Sequence, residues 1–257
     1  SPAGSIQKIP GLMKRLRLML AYNGTPFQGW QSQPCGNTVQ DFLENTVQEI
    51  AGIRVRVHGS GRTDTGVHAL GQVAHFEFTE NISMDAGDWQ RALNALLPSS
   101  IRILHAEPAE DTFHARFSAL GKTYQYEIDC GGVLHPLRCN RTWHHPGQLD
   151  TERLKDACAL YVGEHDFSSF AANRSGDQQE QDMTRVITMA DVSASSGKVV
   201  ITFSGNGFLY KMVRLLVGGA VRVAEERQEL DWIRDLLARP GHIKCQYCAP
   251  AAGLYLK

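Results

Sequence analysis

Nowhere in the 257 residues does an apolar run approach the ~20 residues that a membrane-spanning helix needs. A basic stretch leading into an apolar stretch and a small-residue cleavage site is also missing, so no secretory leader is expected. Charge of one sign is lacking too. With 26 Lys and Arg against 27 Asp and Glu, the formal net charge is −1, and bulk charge gives no reason to expect a polyanionic partner. Cysteine pairs at metal-ligating spacing are scarce. Of the cysteines at 35, 130, 139, 158, 245 and 248, only Cys245 and Cys248 form a CxxC, and Cys130 with Cys139 is too wide to complete a zinc set. Free thiols in a reducing cytoplasm, and no metal, are the expectation. The glycine signature of a doubly wound nucleotide-binding sheet is absent as well.

What is present reads as a folded α+β protein. A 42% hydrophobic, 21% charged composition is that of a globular chain. At ~150 residues per domain, its length suits one large domain or two smaller ones. Residues 1–12, SPAGSIQKIPGL, precede Met13 and look like an expression leftover, and they are set apart from the fold. Local charge is uneven. Lys14, Arg15, Arg17, Arg54, Arg56 and Arg62 gather in the first quarter, whereas acids collect at Glu107, Glu110 and Asp111 and in the polar stretch SGDQQEQD at 175–182. That stretch is expected to be a solvated loop away from any nucleic acid.

Periodicity supplies the elements. Leu16, Leu18, Leu20 and Tyr22 alternate with Arg15 and Arg17, which predicts a half-buried strand over 14–22. Thr38 and Asp41 are spaced as a capping box ahead of Val39, Leu43 and Val47, and Gly52 closes the predicted helix. Alternation over 53–57 predicts a second strand. Further strands are expected at 72–79 and 101–107, around a helix at 85–97 stopped by Pro98. The order βαββαβ then recurs loosely, with strand 122–129, helix 151–162, strands 184–193 and 198–204, helices 208–224 and 230–238, and a strand near 253–257. We expect two similar halves, 13–112 and 113–257, each a sheet covered on one face by helices.

Between the second and third strands stands GSGRTDTGVHALGQV at 59–73. Glycines at 59, 61, 66 and 71 imply positive φ angles or close approach to something large. Asp64 among them is either an Asx-turn residue or a chemical group. An aspartic hydrolase would need two carboxylates sharing a proton, and the nearest second copy is Asp85-Ala-Gly. Arg62 nearby would oppose such sharing.

The stretch GRTDTGVHA, continued by GQV, resembles the catalytic motif of the tRNA pseudouridine synthase A family. YNGTPFQGWQ at 22–31, FHARFS at 113–118, KTYQY at 122–126, FLYKMVR at 208–214 and APAAGLYL at 249–256 resemble further blocks of that family, so the likeness spans residues 14–256. The resemblance implies one continuous, mainly antiparallel sheet with a basic cleft between the halves. It implies isomerisation of uridine to pseudouridine in the anticodon stem-loop of tRNA, at positions 38–40, by a cytoplasmic homodimer without a cofactor. Asp64 falls at the nucleophile position. Arg214 matches the basic residue that pairs with it, Tyr124 the aromatic against the target base, and Arg62 an RNA-backbone contact. His68 lies in the motif and is expected to stabilise the loop. The competing class is an RNA-binding module of this fold without activity, against which Asp64, Arg62, Tyr124 and Arg214 together argue.

Overall fold

The computed structural model describes residues 13–79, 81–172 and 182–257. Residues 1–12 and all but the last residue of the acidic stretch 175–182 lie outside them. The first half of the chain forms β1 (Met13–Tyr22), α1 (Val39–Ala51), β2 (His58–Gly59), β3 (His68–Thr79), α2 (Ala86–Leu96) and β4 (Ile101–Ala109). The second forms β5 (Lys122–Asp129), β6 (Trp143–His144), α3 (Thr151–Ala159), β7 (Gly163–Asp166), β8 (Thr184–Ser195), β9 (Lys198–Gly205), α4 (Met212–Ala224), α5 (Leu230–Ala238) and β10 (Leu254–Leu256).

All strands join one sheet in the order β4-β1-β3-β10-β5-β9-β8-β7, with β2 added to β3 and β6 to β5. Its pairs are antiparallel except β3 with β10 and β5 with β6. The expected continuous, mainly antiparallel α+β sheet is therefore present. The last strand of the chain is its joint. β10 runs parallel to β3, with Tyr255 opposite His68, and antiparallel to β5, with Leu256 opposite Tyr124. Two strand spacings, roughly 10 Å, thus separate the strand that follows Asp64 from the strand that carries Tyr124.

The core lies on the helix-covered face. Alternate residues Leu16, Leu18 and Leu20 of β1, Tyr124, Tyr126 and Ile128 of β5, and Val199, Ile201 and Phe203 of β9 are buried there, as period-two geometry requires. Thr38 caps α1 in the expected capping box, and Gly52 ends it in the left-handed conformation with φ +67°. Asp85 caps α2 in the same way with Asp88 as partner, so Asp85-Ala-Gly is a helix start and not a second catalytic carboxylate.

Three expectations need correction. Residues 53–57 form no strand and pair with none among the described residues. Helix α1 takes the place of a neighbour there: Val57 N–H donates to Glu44 Oε1 at 3.0 Å, and Gln40 Nε2 donates to Val57 O at 3.1 Å. The helix expected to reach 162 ends at Ala159. Its last turn tightens through Tyr161 N–H to Cys158 O, and Gly163 at φ +119° opens the short strand β7. The helix expected from 208 begins at Met212, because Lys211 is left-handed at φ +59°. Residues 208–211 turn into the cleft instead.

Candidate active site

The loop between β2 and β3 is held from several sides. Buried Gln72 clamps its start: Gln72 Oε1 accepts from Ser60 Oγ at 2.8 Å and Gly61 N–H at 3.2 Å, and its Nε2 donates to Gly61 O at 2.6 Å. Trp30 N–H donates to Thr63 O at 3.0 Å, and Tyr22 Oη lies 2.8 Å from Thr63 Oγ1. Val67 N–H then returns to Asp64 O at 3.1 Å, closing a β-turn whose third residue, Gly66, has φ +78°. Gly59 answers the other glycine requirement, since a Cβ there would lie 2.5 Å from the Trp30 ring. The segment 22–31 is thus the platform beneath the loop, a role that its sequence alone did not disclose.

The Asp64 carboxylate emerges from this loop with 20% of its side chain exposed, and Oδ2 lies 3.5 Å from Nη1 of Arg214. Arg214 is the third residue of α4. Its Nε donates to Ala249 O at 2.7 Å while Ala249 N–H donates to the Arg214 carbonyl at 3.0 Å, so the C-terminal segment aims the guanidinium. A partly buried ion pair of this kind orients the carboxylate more than it stabilises the fold. His68 is tied into the loop as expected. Its Nδ1 accepts from Gly24 N–H at 3.0 Å, and its Nε2 lies 3.2 Å from Ala252 O.

Tyr124 belongs both to the core and to the cleft wall. It is only 7% exposed and packs edge-to-face with Phe208 at 5.2 Å. Burial first, then the neighbouring Tyr22 and Asp64, raise its hydroxyl above the ordinary tyrosine range, which keeps the phenol neutral. Asp64 lines the same cleft.

The cleft has a volume of about 570 Å³ and draws its lining from both halves of the chain. Arg56, Arg62, Arg116, Lys122, Arg185 and Lys211 line it, and Asp64 is the one carboxylate among the described lining residues. A neutral protein therefore presents a strongly cationic cleft. Of the first-quarter cations, Arg62 is exposed and lines the cleft, Arg15 pairs with Glu77, and Arg17 pairs with Glu107 at 2.6 Å.

Cys245 is buried, Cys248 is exposed, and both are free thiols. Among the described residues, the group whose atoms converge as metal ligands do is instead His58, His75 and His114, within 4.8 Å of one another. These residues are distant in sequence, so no motif announces them. Backbone N–H groups of Ala115 and Arg116 donate to Nδ1 of His75 and His114, each at 3.1 Å. In the neutral rings the proton then sits on Nε2, where a metal would have to displace it. Burial first, then His58 and His114, push His75 down to about 4. Burial first, then His114 and Arg56, lower His58 as well.

The sequence profile of a family described as tRNA pseudouridine synthase matches residues 18–118 and 157–257. A protein of Akkermansia muciniphila named tRNA pseudouridine synthase A is 45% identical over 248 residues, covering 95% of this chain and 94% of that one. Proteins of the same name from Latilactobacillus sakei and Brevibacillus brevis are 39% and 41% identical, covering 96% and 94% of this chain and 98% and 97% of their own. The matched segments carry the Asp64 loop, the 22–31 platform beneath it, and the Arg214 and Ala249 contacts that face it, so this chain belongs to the tRNA pseudouridine synthase family.

Proposed function

We propose that this protein isomerises uridine to pseudouridine within tRNA, with Asp64 as the nucleophilic carboxylate. The N1–C1′ bond breaks, the base turns, and C5 bonds to C1′. C5 gives up its proton and N1 gains one, so the reaction balances without redox change or an imported group, and it calls for no cofactor. The observation that carries this reading is the Asp64–Arg214 pair at 3.5 Å, with Asp64 in a cleft whose described charged lining residues are otherwise cations. Tyr124 is suited to hold the extruded base, since a ring face supports any base at about 1–3 kcal/mol. Arg62, exposed at the cleft, is suited to a phosphate.

The substrate region we assign is the anticodon stem-loop, positions 38–40, read by its shape and phosphates more than by base edges. We further propose that the protein is a cytoplasmic homodimer, each chain of which consists of two halves, 13–112 and 113–257. Among the described residues no helix is long and apolar enough to cross a membrane. The test is to incubate the purified protein with unmodified tRNA transcript and map pseudouridine by carbodiimide labelling. Modification confined to 38–40 is the expected result. Tight tRNA binding with no pseudouridine at any position would overturn the assignment in favour of a binding module.

A further inference from the structure

One cationic cluster in the cleft is used by nothing described so far. Lys122 opens β5 and lines the cleft beside Arg116 and Arg185. Its ammonium reaches over the clamped loop, with Nζ 3.6 Å from where a Cβ on Gly61 would stand. The charges that act on it among the described residues are both positive. Burial first, then Arg116 and Arg185, lower its pKa from the ordinary lysine value. Arg185 spends one nitrogen on the backbone carbonyls of Asp182 and Thr184, at 2.9 and 2.6 Å, which fixes its fork at the cleft wall. Three cations line one cleft in which Asp64 is the one carboxylate among the described lining residues, and such cations oppose one another until an anion arrives.

Strand geometry says which anion. Lys122 and Tyr124 are two residues apart on one strand, so they project from the same face about 7 Å apart. A nucleotide whose base rests on Tyr124 brings a backbone phosphate of its own strand to Lys122. We propose that Lys122, flanked by Arg116 and Arg185, is the seat of a single RNA phosphodiester next to the reacting nucleotide, and that it sets the register in which the strand enters the cleft. Lys122 is thus a positioning residue. The inference rests on the tRNA reading above. It differs from a general electrostatic surface in requiring one particular phosphate.

The test measures binding without turnover, in the full-length Asp64→Asn protein, with an unmodified anticodon stem-loop RNA as probe. Adding Lys122→Met should reduce the slope of log affinity against log salt by about 0.7, the loss of one single-strand phosphate contact. Methylphosphonate is then placed at each phosphate around the target uridine in turn. One position should weaken binding to the parent roughly tenfold or more, the scale of a charged hydrogen bond. In the Lys122→Met protein the same replacement should change affinity less than about twofold, while the other positions keep their effects. Arg116→Gln, an exposed substitution, should partly uncouple the same position and serves if Lys122→Met melts early. An unchanged salt slope, or equal methylphosphonate effects in both proteins at every position, overturns the phosphate seat. Absence of pseudouridine with the wild-type protein would instead overturn the isomerase reading, and the binding cycle would remain interpretable by itself.

Discussion

The loop 59–67 and the facing segment 208–211 both border the cleft, but they are held differently. Gln72, Trp30, Tyr22 and Phe27 meet backbone or hydroxyl groups along the first, from Ser60 to Gly66. The second offers the Phe208 ring to Tyr124, receives Ala172 N–H at Tyr210 O at 3.1 Å, and passes through the left-handed Lys211 into α4. A carboxylate that must meet one reacting atom is positioned by backbone hydrogen bonds, where a displacement of an ångström is costly. A surface that receives an RNA strand can rely on aromatic faces and long cationic stems, which accept small shifts.

That contrast can be broken most severely at Arg214, which stands three residues after the second segment and pairs with Asp64 of the first. Arg214→Gln should lower the single-turnover rate by roughly 10²–10³-fold, the scale of losing one preorganised charged donor, with tRNA affinity changed only a few-fold. Rate and affinity measured on the same preparation check it. A loss confined to affinity would move Arg214 to the RNA-holding side of the comparison.

Tyr124 sharpens the contrast because it serves both fold and cleft. Tyr124→Ala should lose about 1–3 kcal/mol of base stacking, roughly 5- to 150-fold in rate. It should also destabilise the fold by about 3–5 kcal/mol, since the ring is core as well as lining. Tyr124→Phe keeps the ring and should hold the melting temperature, so any remaining rate loss isolates the hydroxyl. Melting curves and single-turnover rates on both variants read the two contributions. A stability loss alone, with normal rates in the folded fraction, would remove Tyr124 from the site.

The smallest effect concerns pH. His75 faces His58, His114, Arg15 and Glu77, and stays neutral in the fold down to about 4 against an ordinary value of 6.5. Below pH 6.5 the unfolded chain takes up a proton that the folded chain refuses, so stability is lost as pH falls from 6.5 towards 4. His75→Gln keeps an acceptor for Ala115 N–H and should flatten this part of the melting-temperature profile. A profile identical in both proteins would show that His75 does not govern it.

Much of the fold was legible because its signals are local. Leu16 to Tyr22, the Thr38 capping box, Gly52 and the Lys122–Asp129 strand all stand where periodicity and cap chemistry put them. The helix ends at 159 and 212 are set by local turns, whereas the misread strand lies where distant residues intervene. Residues 53–57 alternate like a strand, but the side chains of Glu44 and Gln40 take Val57's hydrogen bonds. The position of β10 between the halves follows from no pattern in residues 254–256 alone. At the site, the motif pointed to Asp64 and its glycines. Gln72, Tyr22 and the histidine trio act through folded contacts that no spacing encodes.

The central claim is that Asp64 performs chemistry on the nucleotide and does not anchor the RNA. Asp64→Asn retains the shape of the side chain and removes its charge, so the decisive measurement is its single-turnover rate beside its tRNA affinity, in protein free of the host's own enzyme. The rate should fall by roughly 10⁴-fold or more, the scale of losing a member of a catalytic constellation, while affinity stays within a few-fold. Substantial residual isomerisation, or a collapse of affinity with the rate at saturation preserved, would contradict the account.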